Sequence, residues 1–378
     1  MILRRLARRL RTSVALGLPP VLAPAMVFVP LGVLLGPWGT NVLDARVVGH
    51  LEPVVSIVLA TLGVLAGLAL RDGPGRRVLV GASLESGLTI AVVGAACWYA
   101  ATRWSIPLTA PTGVLALMLG VAAATSSTGF EDTRPDSAPS PAARMAELDD
   151  VLPIFAGSVA LAWLQTSSLA AIVGLVLANA LVGVAVGLVG LLLIERARST
   201  AERALFVIGT LILAGGAASH LGLSPLVAGF VAGLVWRHGP GRIDEIVARD
   251  VQPYQHPLVV LLLIAAGASL VPSREALWLV VPFVVLRVAG KLAGGWLGAR
   301  VAGLPDGAVG THLLAPGLMG LAFAVAAAQV VSGRDGAVLV TAVVLGTLAA
   351  EVLALGVAPA SPQDAAPADL DALREDGA

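Results

Sequence analysis

The fold class this sequence predicts is an all-α, polytopic membrane protein with about 12 transmembrane helices, and three observations predict it. Hydrophobic residues make up 57% of the chain and charged residues 13%, the balance of a chain whose solvent is lipid. Apolar runs recur from one end to the other at lengths suited to about 30 Å of hydrocarbon. The ionisable residues inside those runs are few: Lys291, the sole lysine among 24 basic residues, lies in one, and the adjacent Asp149 and Asp150 lie in another. Ionisable groups at such depth are expensive in lipid and point to a transport site.

The first expected span, 14–36, follows Arg4, Arg5, Arg8, Arg9 and Arg11. It reads as a retained helix rather than a signal peptide, because no small-residue cleavage site with a polar flank precedes Gly36-Pro37. Span 51–70 is followed by Arg71, Arg76 and Arg77, and span 76–99 contains Glu85. Span 106–129 ends in the hydroxyl run Thr125-Ser126-Ser127-Thr128, and 144–165 carries Glu147, Asp149, Asp150, Pro153 and Gly157. Between them, 133–143 is rich in Pro, Ser and Ala and is expected to be a cytoplasmic linker. Spans 169–194 and 203–219 bracket Arg196, Arg198 and Arg203. Span 222–236 is short for a bilayer and requires tilt, a longer boundary or a broken helix. Arg237, Arg242 and Arg249 precede 253–271; spans 276–299, which holds Arg287 and Lys291, 307–330 and 335–356 complete the set. The acidic segment 357–378, with Asp364, Asp369, Asp371, Glu375 and Asp376, is expected to be a disordered, solvated cytoplasmic tail.

With an even number of spans the basic clusters fall on one side, the cytoplasmic one, together with both termini. The opposite side has mostly isolated charges such as Arg103 and Arg274. One cysteine, Cys97, excludes an internal disulfide and a cysteine-based metal site.

The candidate site combines the acids of the fifth span with the bases of the tenth. Neighbouring helical residues point about 100° apart, so Asp149 and Asp150 face different ways: one toward an ion cavity, the other toward a neighbouring helix or a cation. Lys291 supplies a positive partner, either in an ion pair that a cation or proton disrupts or in a static bridge between helices. Arg287, one turn earlier, is structural or pathway-lining, since guanidinium does not readily lose a proton. Glu85 is either a partner of these bases or a structural polar contact. The hydroxyls of Thr125, Ser126, Ser127 and Thr128 either satisfy backbone where a helix opens or pack between ordinary membrane helices. Glu147 lies near the cytoplasmic boundary and is expected to be solvated.

Taken in order, these segments resemble the monovalent cation:proton antiporter superfamily, nearest its bacterial sodium/proton antiporters with a paired-aspartate site. The resemblance rests on Leu31-Gly32-Val33-Leu34-Leu35-Gly36-Pro37, Thr125-Ser126-Ser127-Thr128, Leu148-Asp149-Asp150-Val151, the run from Gly222 to Gly233, and Arg287-Val288-Ala289-Gly290-Lys291. It implies that Asp150 is the central cation and proton carrier, with Asp149 beside it on the transported sodium ion and Lys291 as charge partner. It also implies two inverted repeats with crossed, discontinuous helices. Helices 1–2 (14–70) and 7–9 (203–271) would form a dimerisation scaffold, helices 3–5 (76–165) and 10–12 (276–356) a moving core, and helix 6 (169–194) the link. Where many relatives have Arg-Gly-Glu near the opening of helix 11, this chain has Pro316-Gly317-Leu318.

The expected activity is therefore exchange of Na+ or Li+ for H+ by alternating access, electrogenic if two protons move per sodium ion. Potassium/proton exchange is the nearest alternative, and a cation channel or an ion-coupled solute symporter is the alternative of another class. The expected partners are membrane lipid and a second copy of the chain, in a bacterial inner membrane and in the service of pH homeostasis. An enzyme activity, an organic cofactor, an ATPase subunit and a nucleic-acid partner are not expected.

Overall fold

A computed structural model describes residues 24–70, 76–127, 141–241, 243–304, 309–331 and 333–357. The basic amino-terminal run, Arg71, Thr128, the linker up to residue 140, Arg242 and the acidic tail from residue 358 lie outside the described residues.

The described chain is helical throughout, and the order of elements is α1 (Pro24–Leu35), α2 (Ala45–His50), α3 (Glu52–Ala69), α4 (Arg76–Arg103), α5 (Thr112–Ala124), α6 (Pro141–Leu148), α7 (Val151–Gln165), α8 (Leu169–Arg196), α9 (Thr200–His220), α10 (Pro225–Arg237), α11 (Ile243–Ala268), α12 (Arg274–Ala302), α13 (Val309–His312), α14 (Leu318–Val330) and α15 (Arg334–Val357). Among the described residues, seven helices are long and apolar enough to cross a membrane, and α1, α5, α10 and α14 are shorter apolar helices. The protein is a multi-pass membrane protein.

Three expected spans differ in form. The run 144–165 is two helices, α6 and α7, with Asp149 and Asp150 in the turn between them. Among the described residues, the run 307–330 divides into α13 and α14 around Pro316 and Gly317, and of 106–127 only Thr112 to Ala124 is helical. The expected span 253–271 starts ten residues too late. Helix α11 begins at Ile243 and continues through Pro253 and Pro257, because Ile243, Val247 and Val251 bury one face at helical spacing.

Small residues set how these helices pack, as expected where lipid removes most of the hydrophobic drive and close backbone approach takes over. On α12, Gly290, Gly294 and Gly298 form one stripe against α4. A Cβ added at these positions would lie 3.0 Å from Thr89 Oγ1, 3.1 Å from Glu85 Cα and 2.5 Å from the Gly81 carbonyl oxygen, respectively. The descending numbers show that α4 and α12 run antiparallel. Similar backbone contacts join α3 to α10, through Gly63 and Gly229, and α1 to α11, through Gly32 and Gly267. At one end of the bundle Asp335, in the first turn of α15, accepts hydrogen bonds of 2.7 Å from Thr109 N, Thr109 Oγ1 and Ala110 N. That clamp ties the α4–α5 connection to α15. By contrast α8 leaves Leu169, Val173, Leu177, Leu181 and Leu188 exposed, a lipid-facing stripe.

Candidate functional site

The non-helical residues that follow α5 meet those between α13 and α14. Ser126 and Pro316 form an isolated antiparallel bridge; Ser127 N donates to Ala315 O at 3.0 Å and Gly317 N to Thr125 O at 3.2 Å. The side chains reinforce the meeting, since Ser126 Oγ donates to Leu313 O at 2.9 Å and Thr125 Oγ1 lies 3.3 Å from Ala122 O. Thr125 and Ser126 therefore spend their hydroxyls on backbone freed by the break, and Ser127 contributes through its main chain.

A helix end leaves its last carbonyls without intrahelical donors. At α5 the bases of α12 supply them: Arg287 Nη1 donates to Ala123 O and Lys291 Nζ to Ala124 O. Arg287 Nη2 also reaches Leu314 O, at 3.4 Å, so its guanidinium touches both segments. Cations at a helix carboxyl end are favoured by the helix dipole as well as by these hydrogen bonds.

The second break has a local cause. Pro153 has no N–H to donate to the carbonyl of Asp149, four residues back, and its ring crowds that carbonyl. The carbonyl turns instead to α4, where the Ser86 hydroxyl lies 2.7 Å away. Asp149 and Asp150 are thereby held at the amino end of α7, where the helix dipole favours negative charge.

Lys291 joins the two breaks. Its ammonium lies 2.8 Å from Asp149 Oδ2 and 3.1 Å from Glu85 Oε1, with all three side chains fully buried. With Ala124 O as a third acceptor, its three N–H donors each have a partner. Thr89 Oγ1 donates to Glu85 Oε1 at 3.0 Å. The remaining oxygens are different: Asp149 Oδ1 and Asp150 Oδ1 are buried without a hydrogen-bond partner among the described residues. Asp149, wholly buried, is the carboxylate that faces the Lys291 ammonium, and Asp150 is partly exposed.

The geometry thus brings together Asp149, Asp150, Lys291, Glu85 and Arg287, with Thr125 and Ser126 at the adjoining break. Glu85 lies in ion-pair contact with Lys291, and Arg287 donates to carbonyls at the end of α5 and beside Pro316. Sequence reasoning missed Ser86 and Thr89. Thr89, four residues after Glu85, was available from helical spacing.

No protein-family model and no curated protein matches this sequence. Solved structures do match it. The structure at pH 8 of the sodium proton antiporter MjNhaP1 from Methanocaldococcus jannaschii superposes with a TM-score of 0.64 at 16% identity, covering 94% of this chain and 93% of that one. The two chains share a fold. A 3D EM map of the same antiporter gives a TM-score of 0.60 at 15% identity, over 92% of this chain and 90% of that one. At such identities the likeness is one of architecture, and it spans nearly all of both chains.

Proposed function

We propose that this protein is a secondary active antiporter, exchanging sodium or lithium for protons by alternating access, and not an enzyme. The observation that carries the proposal is the pair of partnerless buried oxygens, Asp149 Oδ1 and Asp150 Oδ1, on adjacent carboxylates beside the Lys291 ammonium. A buried acceptor left without a donor costs about 1–3 kcal/mol, and more when charged. A partly dehydrated monovalent cation relieves that cost, and so does a proton. Asp150, which forms no ion pair with a base among the described residues, carries the exchange: as the anion it binds the cation together with Asp149 and nearby backbone oxygens, and protonation releases it. Lys291 holds Asp149 in place while the site is exposed to either side. The architecture shared with a sodium proton antiporter supports this reading.

The proposed moving core is α4–α7 with α12–α15, and the scaffold is α1, α3 and α9–α11, with α8 as the link. The glycine-tight seam between α4 and α12, separate from those of α3 with α10 and α1 with α11, supports this division. Two non-helical segments that meet in an antiparallel bridge support inverted repeats with crossed helices, and 12 spans follow if α6–α7 and α13–α14 each count as one. The scaffold faces a second copy of the chain. The membrane is a bacterial inner membrane with both termini in the cytoplasm, the cycle needs no organic cofactor or ATPase subunit, and exchange is electrogenic if two protons cross per sodium ion.

The test is a pH-sensitive dye in sealed proteoliposomes carrying an imposed pH gradient, with sodium, lithium and potassium added separately. Proton efflux on adding sodium or lithium is the expected result. Efflux with potassium alone reassigns the ion, and cation current without proton movement replaces the exchanger by a channel.

A further inference from the structure

The carboxyl ends of α7 and α14 meet the amino ends of α3 and α10 around a cavity of about 90 Å³, room for several waters. Both α7 and α14 begin beside the breaks at Asp149–Asp150 and Pro316–Gly317 and end here. Gln165, at the far end of α7, is about 22 Å along the helix from Asp150, so the cavity is separate from the carboxylates described above. Between the two levels, Phe155 of α7 meets Phe230 of α10 with ring centroids 5.9 Å apart. The arginine distribution puts the cavity on the side opposite the cytoplasm, because Glu52 starts the helix whose other end precedes Arg71.

The polar lining is rich in oxygen and comes from both proposed bodies: Gln165 and Gln329 from the core, Glu52, Ser219 and Ser224 from the scaffold. No base is among the residues that line it. Gln165 turns its amide nitrogen back to Leu161 O, at 3.5 Å, and its Oε1 lies 4.0 Å from where a Cβ on Gly222, in the cavity wall, would stand. Ser224 is the most telling residue. Its N–H donates to Asn179 Oδ1 at 3.0 Å, which fixes the backbone. Its hydroxyl stands where serine usually caps a helix, yet it makes no cap bond to α10. That oxygen is buried without a hydrogen-bond partner among the described residues, on a side chain that lines the cavity and belongs to a residue 6% exposed. An unpaired buried hydroxyl is unfavourable, and the cavity is where its partner can sit. Hard cations take carboxylate, carbonyl and hydroxyl oxygens, and the single carboxylate of Glu52 balances one positive charge. We infer that this cavity is an outer binding subsite for a partly hydrated monovalent cation, held by Glu52, Ser224 and the amide oxygens of Gln165 and Gln329. Its ligands come from core and scaffold, so relative movement of the two assembles and disperses it. The inference deepens the proposed exchange, on which it rests for the identity of the ion and the side of its approach.

Val330, which lines the cavity, reports on it as Val330→Cys in a chain whose Cys97 is replaced by Ala. A cationic methanethiosulfonate is expected to label this thiol about tenfold faster than an anionic one of similar size. Sodium should slow that labelling where choline does not, Glu52→Gln should abolish both effects, and Glu52→Asp, which keeps the charge, should restore them. Equal rates with the two reagents overturn the inference, and so does slowing by sodium that persists in Glu52→Gln, or slowing by magnesium alone. A carboxylate that served only the first turn of α3 would change stability and leave these rates alone. Labelling needs no transport, so it decides the subsite even if the protein shows no sodium-driven proton flux and the exchange reading falls. Where flux is present, proteoliposomes holding the protein in one orientation provide the second readout. Glu52→Gln is expected to raise the sodium needed for half-maximal exchange about tenfold when sodium is offered from the Glu52 side, and to leave the requirement from the opposite side unchanged. No rise, or an equal rise from both sides, overturns the inference.

Discussion

The ammonium of Lys291 has three acceptors on three different elements: Glu85 of α4, the terminal carbonyl of α5, and Asp149 between α6 and α7. Removing one partner of such a buried arrangement leaves uncompensated charge, at a cost of about 3–5 kcal/mol. Lys291→Ala is accordingly expected to lower the melting temperature and to impair cation-driven proton exchange, whereas Lys291→Arg keeps the charge and the fold. If arginine also restores the full pH profile of exchange, lysine deprotonation plays no part in the cycle, because guanidinium stays charged. Asp150→Asn is predicted to fold normally and reduce coupled exchange to the background of empty vesicles. An amide donates hydrogen bonds but cannot alternate between acid and anion. Wild-type flux in that variant would remove Asp150 from the cycle.

Helix interruption is the device that makes the site, and each interruption has a chemical cause that can be altered. At α7, Pro153 withholds a donor and Ser86 supplies one across the α4 interface. Ser86→Ala should destabilise the protein by about 1–3 kcal/mol by orphaning the Asp149 carbonyl. Pro153→Ala in the same chain should recover part of that loss, since residue 153 then has an N–H to offer. Thermal melts of the two single variants and the double variant measure the coupling, and strictly additive losses would refute it. The α4–α12 seam depends on a different property, the absence of a side chain. Gly298→Ala would place a Cβ 2.5 Å from the Gly81 carbonyl oxygen and is expected to cost about 1–3 kcal/mol and much of the transport activity. Gly174→Ala, on α8 where nothing lies within 4 Å, is the matched control and should be neutral.

For the molecule as a whole, the distribution of arginine predicts which ends of the helices face the cytoplasm. Cys97 is buried, and replacing it by Ala leaves a chain free of cysteine for labelling. In intact cells an impermeant maleimide should then modify Arg103→Cys, at the carboxyl end of α4, while Arg198→Cys, between α8 and α9, reacts only once the membrane is permeabilised. The reverse pattern would invert the protein, and labelling of both in intact cells would undo the proposed count of spans between them.

The sequence alone determined the solvent and much of the topography. Hydrophobic run lengths place helices such as α3, α4, α8, α9 and α12 close to where they occur, since length and polarity are local properties that lipid reads directly. It also nominated Asp149, Asp150, Lys291, Arg287 and Glu85, because a charge in an apolar run is conspicuous wherever its partner lies. What it left open was arrangement. That Glu85 and Asp149 share one ammonium, that Arg287 and Lys291 occupy consecutive carbonyls of α5, and that the hydroxyls of Thr125 and Ser126 answer the break at Pro316 are decided by contacts between segments far apart in the chain. The division of 144–165 shows the boundary between the two. Pro153 signals a missing donor in the sequence, but whether the chain bends, kinks or breaks there depends on whether another helix supplies a replacement. Only the packing of α4 against the α6–α7 turn placed that replacement, Ser86, at Asp149.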